Sequence, residues 1–195
     1  MPEQQTFLHA EAALLGVVDR IRDDQWAMPM PPSFAASTGD PVTLREVIAS
    51  HAYDDAWVPD MLAGRTMEET GAEKFSGDLL GDDPKGSFAR IVEAASTAVR
   101  ELDDPDLVVH CSFGDYPARE YLKQISSFRG LRAHDIADAI GVDSTLPGEL
   151  VEGLWTEIAP VAEEWRAYGV FGPAVEVQDD APLHDRLLAL TGRQP

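Results

Sequence analysis

The chain has 195 residues, 44% of them hydrophobic, which is enough to bury one good core and makes a single domain the default. Its 35 acidic against 15 basic residues give a formal charge of −20 spread over nearly every segment, a field that repels phosphate backbones and anionic membranes and argues against nucleic-acid and peripheral-membrane roles. The one cysteine, Cys111, excludes an internal disulfide and any all-cysteine zinc or iron–sulfur cage.

The opening run MPEQQTFLHAEAALLG has no basic leader ahead of an apolar core, and no window approaches about eighteen uncharged apolar residues, so a cytoplasmic location is expected. Phe7, Leu14, Val18 and Ile21 fall on one stripe, interrupted by Glu11, and predict an amphipathic helix over residues 5–24. AMPMPPSFAASTGDP, residues 27–41, carries too many prolines and small polar residues for regular structure and reads as a loop, pinned to the core by Trp26 and Phe34. Thr43 or Asp40 then caps a second helix, with Leu44, Val47, Ile48, His51, Asp55, Val58 and Leu62 on its inner stripe and Pro59 kinking or ending its last turn.

From Gly64 to Pro84 the chain is turn-rich and reads as a long surface loop. A third helix follows, with Phe88, Ile91, Ala95, Ala98 and Leu102 as its inner edge. LVVHCSFGDYP is a short apolar run with room for β structure but not for a defined sheet. Its adjacent His110 and Cys111 would point to opposite faces of a strand and form no thiol–imidazole dyad. Pro117 opens the longest helix, residues 117–140, which Gly141 terminates. A weaker helical segment runs through TLPGELVEGLWTEIAPVAEEWRAYG; the tail then offers VEV as an edge strand and PLHDRLLALTG as a last helix. The pattern is all-α: one helical bundle, its core over about residues 5–140, with a helical and tail region over 147–195.

Helical phase at about 100° per residue singles out a polar cluster. On the long helix Tyr121, Ile125, Phe128, Ile136 and Ala139 form a narrow stripe with Arg132 at its centre, while His134 points about 160° away with Asp138 as its i+4 neighbour. On the second helix His51 and Asp55 share the apolar stripe and Asp54 lies beside it. Buried polar groups need partners, so Arg132 is expected to hold Asp54 or Asp55 and to reach His51.

The segments LREVIASHAYDDAWVPDMLAGRT, SGDLLGDDP, CSFGDYPAREYL, HDIADAIG and APLHDRLLALTGR make the chain resemble, over nearly its whole length, an actinobacterial family related to the mycothiol-dependent maleylpyruvate isomerase N-terminal domain, within the DinB/YfiT-like superfamily. The resemblance implies a four-helix bundle with a C-terminal extension and, in many members, a divalent metal such as zinc or nickel held by three side chains from two helices. It also implies a low-molecular-weight thiol as co-substrate in the transferases and isomerases. His51 matches the histidine of the second helix. The remaining two ligand slots, counted back from Asp135 of DIADAIG, fall on Arg132 in place of a histidine and on Phe128 in place of an acid.

The resulting candidate ligand or pocket residues are His51, Asp54, Asp55, Phe128 and Arg132, with no cofactor favoured. The first functional reading is a non-metal cytosolic module that binds a small acidic metabolite through Arg132. The second is a metal-dependent thiol transferase or isomerase in which His51 and Asp55 keep the metal. The third is a non-catalytic bundle that forms a homodimer.

Overall fold

Local chemistry sets most of the helix boundaries in the computed structural model, which describes residues 1–34, 40–112 and 114–195. Helix α1 is Pro2–Val18, shorter than the pattern suggested, because residues after Asp19 turn into a short 3-10 segment, Asp23–Gln25. Helix α2, Leu44–Leu62, starts at a capping box: Thr43 Oγ1 accepts the Glu46 N–H at 3.3 Å, and Glu46 Oε2 accepts the Thr43 N–H at 2.7 Å. The helix runs through Pro59 rather than ending there.

The expected 27–41 loop is tied at its two ends, where Met30 N–H donates to the Val42 carbonyl at 2.9 Å and Pro29 bridges to Thr43. Residues 35–39 of that loop lie outside the described residues. Trp26 and Phe34 do pack against the core.

The region from Gly64 to Pro84 contains one short helix, α3, Met67–Thr70. It is anchored through buried Asp60 of α2, which takes Arg65 Nη1 at 2.8 Å and Lys74 Nζ at 2.6 Å. Helix α4, Pro84–Arg100, begins with Asp83 accepting the Gly86 N–H at 3.0 Å and with proline at its first position. The short apolar run forms an antiparallel hairpin, β1 Val108–Cys111 against β2 Gly114–Pro117, in which His110 pairs with Asp115. Helix α5, Ala118–Ala139, ends where Gly141 takes a φ of +72°. The C-terminal region supplies α6 Gly148–Ile158, α7 Ala162–Ala167 and α8 Leu183–Leu190. VEV forms no strand: Val175 N–H donates to the Ala189 carbonyl at 2.9 Å without wider pairing among the described residues.

The chain is thus predominantly helical with one small hairpin. Helix α1 packs along α5, α2 along α4, and α1 also meets α4 and α6. Leu14, Ile48, Phe88, Ile136 and Leu154 belong to the larger apolar cluster. Phe7, Val58, Val99, Val109 and Leu122 form a second cluster beneath the hairpin. Among the described residues no helix is long and apolar enough to cross a membrane.

Close approach of α5 and α6 depends on Gly130, where a Cβ would lie 2.7 Å from the Cδ1 of fully buried Leu154. Gly130→Val is expected to cost about 1–3 kcal/mol through overpacking, read as a lower urea midpoint with an unchanged slope.

Candidate functional site

Helices α1, α2 and α5 bring Glu11, Asp55 and Arg129 together in the apolar interior, all at most 1% exposed. Arg129 Nε lies 2.6 Å from Glu11 Oε1 and 2.5 Å from Asp55 Oδ1, and its Nη2 also meets Asp55. Burial, reinforced by the negative charge of Asp55, pushes the Glu11 carboxyl well above its ordinary range. Burial raises Asp55 as well, against the opposing pull of Arg129. Both carboxyls are thus pushed toward their protonated forms, Glu11 by burial and the Asp55 charge and Asp55 by burial, while Arg129 pulls each the other way. One guanidinium faces two carboxyls here, so a single proton shared by the acids would leave the cluster neutral, the state its depth in the core favours.

Arg129 therefore takes the place in the core that the helical stripe assigned to Arg132. The buried face of α5 runs through Leu122, Ser126, Arg129, Gly130, Ala133 and Ala137, broader than the Tyr121–Phe128–Ile136 line and rotated from it. It is rotated because α1 and α6 both pack on α5, and small residues let them approach. Arg132 makes no ion pair with Asp54 or Asp55 among the described residues. Its guanidinium stacks 4.4 Å from the Phe34 ring centre and 5.2 Å from that of Phe128, donates from Nη2 to the Ser33 carbonyl at 3.1 Å, and sits 3.5 Å from Asp135 Oδ2.

The structure does bring three of the candidates together. His51 is buried, its ring centre 5.2 Å from that of Phe128, which is 47% exposed, and Phe128 in turn lies under Arg132. Burial, helped by the charges of Arg129 and Arg132, holds the His51 pKa well below its ordinary value, so the imidazole is neutral. Its Nδ1 is buried with no hydrogen-bond partner among the described residues.

Asp54 lies apart from this stack on the exposed surface of α2 and beside a cavity. Desolvation against the cavity wall raises its carboxyl, opposed by Arg129.

A divalent metal does not fit these residues: His51 faces a phenyl ring, and Asp55 is held by Arg129. Among the described residues no group of three or more His, Cys, Asp or Glu side chains is placed to hold one.

The remaining candidates have local partners. His110 Nδ1 lies 2.9 Å from Asp115 across the hairpin, and burial, with the nearby Asp115 charge, lifts the Cys111 thiol to about 11, too high for a thiolate at neutral pH. His134 is bonded through Nδ1 to the Ser144 carbonyl at 2.9 Å rather than to Asp138, with the His184 ring 6.0 Å away. The tail thus folds onto α5, where Arg193 takes both oxygens of Asp135 at 2.7 and 2.8 Å.

Between α5 and the C-terminal region lies a groove of about 650 Å³ with Lys123, Arg132 and Arg193 among its walls and Phe128, Trp165 and Phe171 as apolar surface. The groove's own lining carries these three cations and one carboxylate, Glu120, which pairs with Lys123 at 2.9 Å. Asp135 is shared by both arginines, and Glu157, its carboxyl raised by burial to about 7, lies near Lys123 and Glu120.

No protein family, no curated protein and no solved structure matches this chain.

Two outcomes test the buried cluster. Arg129→Met is expected to lose about 3–5 kcal/mol in urea unfolding because it strands buried carboxyls, whereas the triple change Glu11→Leu, Asp55→Leu, Arg129→Met recovers most of that loss. The folded chain holds the Glu11 proton to higher pH than the unfolded chain, so its stabilising contribution is full below the ordinary value of 4.5 and is lost as pH rises through the folded value. Stability measured against pH should therefore fall less steeply on the alkaline side in Glu11→Gln. His51 acts in the opposite sense: its depressed pKa makes stability fall as pH drops below its ordinary 6.5.

Proposed function

We propose that this chain is a ligand-binding helical bundle that takes a small acidic metabolite in the groove beside Arg132. The observation that carries this reading is a metabolite-sized, aromatic-walled groove with an excess of positive charge on a chain of net charge −20. Guanidinium groups match carboxylates in a planar, bidentate fashion, and Arg132 is held ready by its stack on Phe34 and Phe128. The walls of Trp165 and Phe171 suit an apolar or aromatic body on the ligand.

The same reading makes the chain a divergent member of the DinB/YfiT-like superfamily, with α1, α2, α4 and α5 as its four-helix bundle. The contiguity of His51, Phe128 and Arg132 supports it, since these are the slots where the resemblance places a metal-binding histidine, acid and histidine. Phe128 offers no ligand atom and Arg132 brings its own positive charge, so the site works without a metal.

Calorimetric titration with benzoate and its uncharged amide, benzamide, tests the binding. Benzoate is expected to bind, benzamide not, and Arg132→Gln to weaken benzoate by about tenfold, in line with the loss of one charge-assisted contact. Equal binding of the two probes would sink the reading. Incubation with zinc or nickel followed by elemental analysis should leave the protein far below stoichiometric metal; a full equivalent that disappears in His51→Ala would restore the metal-centred alternative.

A further inference from the structure

A second cavity, of about 260 Å³, shares Gln124 and Phe128 with the groove and reaches down to Arg129. Four aromatic residues, Tyr53, Trp57, Tyr121 and Phe128, stand around it. Asp54 lies at its wall and takes no ion pair or hydrogen bond from any described residue. Trp57 is 5% exposed, and its indole N–H is buried without a partner among the described residues.

We propose that this cavity binds a small organic cation carrying an ammonium group. Aromatic faces attract a cation through their quadrupole, and an unpaired carboxylate at the wall supplies the counter-charge. The guanidinium beneath does not oppose this. Arg129 is matched by Asp55 and also faces Glu11, so Asp54 leaves the surroundings with at least one more negative than positive charge. Trp57 and Tyr53 meet edge to face on the cavity wall with ring centres 6.3 Å apart, which holds this part of the aromatic lining in place. The whole-chain charge of −20 favours the approach of a cation over that of an anion.

The test uses choline and its uncharged isostere 3,3-dimethylbutan-1-ol, each titrated calorimetrically into the intact protein. Choline is expected to bind saturably, the isostere not, and Asp54→Asn to weaken choline by about tenfold. Tyr53→Leu, at a partly exposed position that tolerates change without loss of the core, should weaken it as well. The proposal is overturned if the isostere binds as well as choline, if choline shows no saturable heat, or if Asp54→Asn leaves its affinity unchanged. Benzoate titrated into Asp54→Asn separates the two sites: retained benzoate binding alongside lost choline binding keeps both assignments, and benzoate lost with choline assigns one shared site and overturns this one.

Discussion

A guanidinium buried to the last per cent beside two carboxyls is the constraint around which this helical chain is arranged. Arg129 comes from α5, Asp55 from α2 and Glu11 from α1, so one charge cluster fixes the relative placement of three helices at once. Apolar packing alone tolerates sliding and rotation of helices; a charged group with fixed donors does not, because a shift that opens an ion pair leaves a charge in a medium of low polarity. Two ionised acids beside one guanidinium would leave the core with a net negative charge, and burial together with the Asp55 charge raises the Glu11 carboxyl in the direction that avoids it.

That placement determines what stands around the cluster. With Arg129 turned inward, Phe128 and Arg132 lie on the outer side of the same helix, Phe128 over His51 and Arg132 against Phe34. Phe128 then lines two openings of different character. One has a surplus of arginine and lysine, and the other has aromatic side chains with Asp54 at its wall and Arg129 at its floor. A single phenyl ring thus borders two different chemical settings on a strongly acidic chain.

Much of the helical framework was legible in the sequence because boundary signals are local. Thr43 with Glu46, Pro84 behind Asp83 and Gly141 after the long helix each set an end through one or two residues. The adjacency of His51 and Phe128 was also within reach. The identity of the buried cation was not, because a narrow hydropathy stripe weighs Ile and Phe and gives no weight to Ser126, Gly130 and Ala133, the small residues that mark close helix contact. Arginine is ordinarily a surface residue, so nothing local flagged Arg129. The usable signal was global: Glu11 and Asp55 both interrupt apolar stripes, and two buried acids demand a cation opposite them.

The sharing of Asp135 reaches beyond the ion pairs themselves. One carboxylate serves Arg193 through both oxygens and Arg132 only at 3.5 Å, so the two arginines compete for it and Arg193 holds the stronger claim. The C-terminal segment thereby helps set the charge of the groove it borders. With Arg193 on both oxygens of Asp135, Arg132 keeps only the longer contact and turns its remaining donors to the Ser33 carbonyl and the groove.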